Sequence, residues 1–357
     1  MDKERADSLR PLPDHAELIF ASNMHGETGQ MGFVASELYV MDSLGENPVR
    51  VTHDGWTHNH LSVSPDRRHI VSNRHVEDSN GDGVLDFRDR KTIYVYDLEK
   101  GEQWPVVAER DAGQGGVDWS ADGEWIYAAM MEPGPVNREA FYKNPLDIFR
   151  VRPDGTGLER LTDGIEKVLW EGADGKYVSD VGLSPDGEWM CFGFKPIVNG
   201  ELYLKSQIVV ARTDGSEARL VTDGGPLEPK MFGAWSGGDF DAEFSPDSKS
   251  LVFGRATDAG TNEVGKDLMP GTPQDVSLSS YDIIRIDIDG SNLMHLTPEG
   301  DPAAKGIPDW SKDHRVVYRE FDGRDGFHGP VVLSDDGSDL RRIHGVKGRH
   351  FRWVSPL

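Results

Sequence analysis

The stretch LSVSPDRRHIVSNR, residues 61–74, decides the fold because its pattern recurs along the chain. In each copy a tight turn built on Ser and Asp joins two runs of bulky apolar residues, as expected of a β-hairpin. The other copies are VDWSADGEWIYAAM (117–130), VGLSPDGEWMCFGF (181–194), AEFSPDSKSLVFGR (242–255) and PDWSKDHRVVYRE (308–320). Self-similarity at this spacing predicts a β protein that is built from repeats.

A second element follows each copy, and in four of the six such elements it carries a D-G-[ST] turn, as in DIFRVRPDGTGLERLT (147–162), which ends in LT. The Asp-Gly pair supplies the positive φ that a tight hairpin turn needs. Six second elements face only five complete first elements, because the sixth first element is split. FRWVSP (351–356) supplies its inner strand, and AELIFASN (16–23) supplies the strand after the turn. The sequence predicts six four-stranded antiparallel blades, closed into a ring by pairing the terminal strands.

The S-P-D-G and D-G-[ST]…LT pattern resembles the TolB-type WD-like (PD40) repeat over residues 16–356. That family forms six-bladed β-propellers, so the resemblance implies an all-β fold with one propeller domain at 16–357 behind an N-terminal extension at 1–15. Related propellers occur as periplasmic scaffolds, as gating domains of peptidases and as carbohydrate lyases. The function therefore has to be argued from the site itself.

Composition narrows the classes of function. A formal net charge of -24 argues against a surface for nucleic acid or for anionic membranes. No apolar run is long enough to predict a membrane span, and no G-x-S-x-G or glycine-rich phosphate loop occurs. The expected partner is a small molecule, a saccharide or a protein, and a monomer is the default oligomeric state.

The connections between strands predict which face carries the function. If the strands of a blade are named A to D from the innermost outward, the A–B and C–D turns share one face. The B–C and D–A loops share the other face. The A–B and C–D turns are short, whereas the other set includes long segments such as 74–91, 130–145 and 255–280. Long irregular loops usually serve binding, so we expect the site on the B–C/D–A face.

The start of each strand A on this face lies close to the propeller axis. The six residues at this level are His60, Gly116, Asp180, Asp241, Ile307 and His350. Imidazoles and carboxylates that converge there suit a divalent metal such as Mn²⁺ or Zn²⁺. The predicted axial ligands are His58, His60, His350, Asp180 and Asp241. In the alternative interpretation, these groups bond loop backbones or line a channel filled with water.

The stretch THNHLSVSP (57–65) also resembles the H-x-H strand start of oligogalacturonate lyases, which hold a divalent metal with such a pair. This resemblance implies β-elimination on an acidic sugar, with metal or Arg neutralising the uronate carboxylate and His removing a proton. The candidate catalytic residues are His60, His350, Arg74, Arg255 and Arg319. Two classes of function stay open: a binding propeller and a metal-assisted lyase.

The segment DSNGDGVLDFRD (78–89) resembles an EF-hand-type calcium loop. Alternating oxygen ligands at this spacing repel one another unless a cation lies among them. The predicted ligands of a structural Ca²⁺ are Asp78, Asn80, Asp82, the Val84 carbonyl, Asp86 and Asp89. Calcium binding would suit a periplasmic or secreted protein, while the cytoplasm stays an alternative.

Overall fold

β-Strands are the main regular secondary structure in the described part of the chain. The computed structural model describes residues 4–5, 9–24, 36–79, 81, 89–108, 115–133, 144, 146–203, 205–225, 237–262, 278–322 and 324–354. One short helix, α1 (Glu166–Leu169), is present in this part of the chain. None of the described helical structure is long and apolar enough to cross a bilayer.

The strands form six antiparallel sheets, which are the blades of a propeller. The innermost strands A are β5 (His58–Val63), β9 (Val117–Trp119), β13 (Gly175–Leu183), β18 (Asp239–Phe244), β22 (Ala304–Trp310) and β26 (Arg349–Trp353). The strands B are β6 (His69–His75), β10 (Ile126–Met131), β14 (Trp189–Val198), β19 (Ser250–Asn262), β23 (Arg315–Asp322) and β2 (Leu18–Ser22). These two sets start blades 1 to 6 in that order.

The outer half of each blade is formed by strands C and D. The strands C are β7 (Lys91–Asp97), β11 (Leu146–Val151), β16 (Gln207–Arg212), β20 (Leu278–Asp287), β24 (Phe327–Ser334) and β3 (Glu37–Met41). The strands D are β8 (Glu102–Pro105), β12 (Glu159–Arg160), β17 (Arg219–Leu220), β21 (Met294–His295), β25 (Arg341–Arg342) and β4 (Val49–Arg50). Two further strands are β1 (Glu4–Arg5), which pairs with β8, and β15 (Glu201–Leu202), which pairs with β14.

The two ends of the chain close the ring. In blade 6 the C-terminal β26 pairs with β2, so that Leu18 lies opposite Trp353 and Ile19 opposite Arg352. Successive innermost strands are neighbours all the way around, from β5 through β9 to β26 and back to β5. The predicted all-β, six-bladed propeller with a closure formed by both termini is therefore confirmed. The domain boundaries stay a prediction.

Hydrogen bonds explain why the repeat motif recurs. In the A–B turn the Ser64 hydroxyl donates to the Asp66 carboxylate and accepts the amide of His69. In the C–D turn the Asp154 carboxylate accepts the amide of Thr156, while Gly155 takes a φ of 82°. The Thr of the LT pair then accepts a backbone amide of strand C, as Thr162 does in blade 2 and its counterparts do in other blades. Each motif residue satisfies a backbone group that the turn would leave open.

The hydrophobic core is divided among the interfaces between blades. One cluster joins Val95 and Trp104 of blade 1 to Trp119 and Ile126 of blade 2. Five similar clusters fill the other interfaces around the ring. Because no blade has a core of its own, each blade depends on both neighbours for burial of its faces.

Candidate functional site

The innermost strands are irregular where they begin. Pairing between strands A and B shifts register at the start of five blades, which marks a β-bulge in each. The bulges involve residues with a left-handed backbone, namely Asp180 (φ 52°), Asp241 (φ 54°), Ile307 (φ 55°) and His350 (φ 53°). Non-glycine residues adopt this region at a cost of about 1–2 kcal/mol each. Strain repeated at one level of the ring indicates a functional site.

These bulged residues surround one cavity at the end of the central channel on the B–C/D–A face, which we call the axial mouth. Its volume is about 20 Å³, enough for a single ion or water molecule. The rings of His60 and His350 lie 4.4 Å apart between centroids. His60 Nδ1 lies 3.8 Å from Asp180 Oδ1. Asp241 lines the same cavity, so four of the five predicted axial ligands come together.

Burial dominates the electrostatics of the two carboxylates at the mouth. It raises the pKa of Asp180 well above its usual range, and the neighbouring Asp241 raises it further. Burial also raises the pKa of Asp241 to about 6. On the side of blade 3, burial lowers the pKa of Lys195 to about 7 although Asp180 opposes the shift. Two carboxylates that are costly to ionise together favour a bound cation or a proton.

His58 does not reach the axial mouth. The bulge at His60 puts His58 opposite Arg74 and Leu61 opposite Ser72, so His58 shares a face with Leu61. An unbroken strand would have placed the two histidines on one face, and the bulge removes that relation. The interpretation of His58 and His60 as a pair of ligands on one side of the strand is therefore wrong.

His58 instead belongs to a hydrogen-bonded network between blades 6 and 1. Its Nε2 donates to Asp54 over 3.1 Å, and Arg74 Nη1 donates to the same carboxylate over 3.0 Å. Burial opposes the ionisation of Asp54, yet His58 and Arg74 hold the pKa of Asp54 well below its usual range. Within the described residues, Glu37, Asp54 and His58 are the one group of three whose ligand atoms all lie within 4.8 Å of one another. Arg50 donates to one carboxylate oxygen of Glu37 and Thr52 to the other, so both oxygens already have protein partners.

The predicted catalytic arginines differ in what they contact. Arg74 is bound to Asp54 and lies 3.3 Å from the centre of the Tyr94 ring. Arg255 makes two hydrogen bonds to the buried Asp239, of 2.7 and 2.8 Å. Arg319 lies opposite Gly306, beside the bulge of the mouth, and feels the charge of Asp241. Arg319 does not line the cavity, but it lies on the strand next to the bulge and makes no ion pair with a described carboxylate.

A second layer of charged groups lies below the mouth and was not predicted. Arg352 of β26 binds Glu243 directly, and its Nε lies 3.5 Å from Asp309 Oδ2. Its Nη2 lies 3.9 Å from Asp118 Oδ1. We call Arg352 with these three acids the ring-closure clasp, because they come from blades 6, 4, 5 and 2. The sequence does contain a sign of this layer: two positions after the aligned strand starts, several repeats carry an acidic residue.

The predicted calcium loop is only partly described. Asn80, Asp82, Val84 and Asp86 lie outside the described residues. Asp78 accepts the amide of Gly81 over 2.7 Å, and the buried Asp89 accepts the amide of Ser79 over 2.9 Å. The two ends of the loop are thus held together by carboxylate oxygens.

Comparison with known proteins agrees with this architecture. The chain is similar to TolB from Acinetobacter baumannii, with 16% identity, a TM-score of 0.59, and coverage of 96% of this chain and 67% of that chain. The fold is that of a TolB-like β-propeller. A protein assigned as TolB from Agrobacterium tumefaciens shares 14% identity with a TM-score of 0.53, covering 97% of this chain and all 100% of that one.

A chain from the crystal structure of the nidogen/laminin complex is also similar, with 11% identity and a TM-score of 0.56. It is covered over 100% of its length, against 96% of this chain. No protein-family model matches the sequence, and no curated protein matches it either. At these identities the similarity shows the fold, and the TolB-like resemblance in the repeat is confirmed at that level.

Proposed function

We propose that the chain is a ligand-binding propeller whose ligand sits over the axial mouth, with a divalent cation held by His60, His350, Asp180 and Asp241. The observation that carries the proposal is the convergence of these four side chains, from four blades, on one small cavity. The raised pKa of both carboxylates supports it, because a cation would neutralise charges that burial makes costly.

The dimensions fit an ion better than a sugar ring. In a tetrahedral zinc site, ligand atoms at about 2.0–2.2 Å from the metal lie roughly 3.3–3.6 Å from each other. The distance of 3.8 Å from His60 Nδ1 to Asp180 Oδ1 is close to that range. Among the described residues, no three of the four axial side chains have ligand atoms within 4.8 Å of one another, so an ion would have to draw His350 and Asp241 closer to this pair. The cavity of about 20 Å³ holds no larger group. The bulk of a ligand therefore lies above the mouth, among the long loops.

Titration calorimetry of metal-free protein with Zn²⁺ and Mn²⁺ tests the cation site. We expect one ion per chain, and at least a 10- to 100-fold loss of affinity in His60→Ala and Asp180→Asn. His314→Ala is the matched control, because His314 lies in an A–B turn on the opposite face and pairs with Asp335. Equal affinity in His60→Ala and His314→Ala contradicts the site.

A second candidate is β-elimination on a uronate sugar. It is favoured by Arg319 beside the mouth, since a guanidinium can neutralise the uronate carboxylate while His60 or His350 removes the C5 proton. The C4–C5 double bond then forms as the C4–O bond breaks, and the leaving oxygen takes a proton from water or from the imidazolium. Incubation with uronate polymers, followed by the absorbance of unsaturated products, tests it. If an oligosaccharide binds and is recovered unchanged, the lyase function is excluded for it and only the binding function remains.

Three further expectations accompany this proposal. A protein partner on the B–C/D–A face is supported by the similar chain in the nidogen/laminin complex. A structural Ca²⁺ at 78–89 stays a prediction, which a rise in melting temperature with added calcium would support. A periplasmic or secreted location stays a prediction as well, and fractionation of the source cells tests it.

A further inference from the structure

Positive charge gathers beside the axial mouth, although the chain as a whole carries a net charge of -24. The cations are Arg319 of β23 and Lys347 in the D–A loop that leads into β26, and the imidazole of His328 on β24 lies beside them. All three belong to the side of the ring where blades 5 and 6 meet. A local cluster of basic groups on an acidic protein indicates a site for a negatively charged ligand.

The strand register brings Arg319 and His328 together. Arg319 pairs with Pro330, and Phe321 pairs with His328, so all four side chains project from one face of blade 5. The rings of Phe321 and His328 lie 5.4 Å apart between centroids. Arg319 and His328 are therefore diagonal neighbours on adjacent strands, next to the bulge that lines the mouth.

The loop of Lys347 packs against β24 next to His328, and the charge of Lys347 acts on the His328 imidazole. A Cβ atom on Gly329 would lie 2.8 Å from the carbonyl oxygen of Val346, so the loop rests directly on the residue that follows His328. The Ser22 hydroxyl of β2 donates to the carbonyl of Lys347 and fixes the other side of the loop. Lys347 itself is exposed, which leaves its ammonium group accessible from solvent.

The charges of this group are not balanced by ion pairs within the described part of the chain. The Arg319 guanidinium makes no ion pair with any described carboxylate, whereas Arg255 and Arg352 are both bound to acids. Partial burial, Arg319 and Lys347 together lower the pKa of His328 to about 4. A neutral imidazole between two cations marks a region of positive potential, which is the environment that an anion prefers.

We propose that Arg319, His328 and Lys347 form an anion subsite that binds an oxyanion group, carboxylate or phosphate, of the ligand at the axial mouth. The planar guanidinium of Arg319 can bind two oxygens of such a group at once. The His328 imidazole adds a neutral N–H donor, and Lys347 attracts the anion from solution. The inference rests on the proposed function for the ligand's position above the mouth, but the subsite itself requires no metal.

Titration of the metal-free protein tests the subsite, with the His328 ring proton followed by NMR at constant ionic strength. The probes are glucuronate for the carboxylate, inorganic phosphate, and glucose as the uncharged match for glucuronate. We expect saturable shifts with at least one of the two anions and none with glucose. The tighter of the two anions identifies the chemistry of the ligand, and either order supports the subsite.

Matched variants make the outcome decisive. Arg319→Met keeps the apolar stem and should weaken anion binding about 10- to 100-fold, as expected for loss of a charge-assisted hydrogen bond. Because the Lys347 side chain is exposed, Lys347→Met should fold normally. Its affinity for the anion should be lower than that of wild type and should depend less on salt concentration. Arg285→Met is the control, since Arg285 lies near the opposite face and pairs with Asp335. Equal anion affinity in Arg319→Met and Arg285→Met, or shifts with glucose as large as with glucuronate, overturns the subsite.

Repeating the titration with saturating Zn²⁺ separates this inference from the cation site. Anion binding to metal-free protein that depends on Arg319 supports the subsite even where no metal binds at His60. If metal binding depends on His60 but Arg319→Met leaves anion binding unchanged, the cation site is retained and the anion subsite is overturned.

Discussion

Removing Arg352 should destabilise the whole ring, because its guanidinium is the cation of the ring-closure clasp. Arg352→Met leaves Asp118, Glu243 and Asp309 buried without their counter-charge. Removal of one partner from a buried ion pair costs about 3–5 kcal/mol in the free energy of unfolding. For 357 residues the unfolding entropy is about 0.75 kcal/mol/K, so the melting temperature should fall by about 4–7 °C.

The loss should depend on pH in a defined direction. Burial raises the pKa of Glu243 and of Asp309, so the folded chain holds protons that the unfolded chain releases. Stability conferred by such protons is present at low pH and is lost as the pH rises through the folded pKa. Without Arg352 to stabilise the ionised forms of Glu243 and Asp309, this loss of stability with rising pH becomes larger. The deficit of Arg352→Met should therefore be larger at about pH 8 than at about pH 5.

Urea unfolding of wild type and variant at both pH values measures this difference. Arg212→Met is the control, because Arg212 binds Glu188 over 2.8 Å on the surface, where such pairs contribute about 0–1 kcal/mol. The reasoning is refuted if Arg352→Met loses no more stability than Arg212→Met. A deficit that is the same at both pH values refutes the role assigned to the buried acids.

Three further perturbations test the fold and the mouth. Thr162→Val removes a buried hydroxyl that accepts the Ile148 amide and donates to Asp147, and should cost about 1–3 kcal/mol in urea unfolding. Ile307→Gly relieves a left-handed backbone at φ 55°, so its stability should stay within about 1 kcal/mol of wild type despite the lost side chain. Burial raises the pKa of Asp241 to about 6, so metal-free protein should lose stability as the pH rises towards that value. Asp241→Asn should flatten that dependence, as followed by melting temperature.

The fold could be predicted because its determinants are local. Ser64 and Asp66 satisfy the backbone of their own turn, and Thr162 satisfies the next strand of the same blade, so each motif is readable within one repeat. Counting these motifs was enough to predict that one repeat is split between the two termini. The level of His60 and Asp180 at the axis followed from the same alignment.

The details of the site could not be predicted because they depend on departures from regular strands. The bulge at His60 separates it from His58, and no composition rule locates such an extra residue. The contacts of Arg352 with Glu243 and Asp309 cross the ring between blades, so they require the inner strands to be in register. The burial that lowers the pKa of Lys195 is likewise a property of the assembled blades.

The order of the strand starts around the ring also sets the direction in which a ligand would lie. The propeller repeats the position six times, but the side chain differs in each blade, in the order His60, Gly116, Asp180, Asp241, Ile307 and His350. The two histidines are neighbours across the ring closure, and the two aspartates are neighbours in blades 3 and 4. A cation between them has the anion subsite on one side only, where blades 5 and 6 meet. A ligand that uses both sites must therefore point its oxyanion towards blades 5 and 6, and Arg319→Met should change its orientation as well as its affinity.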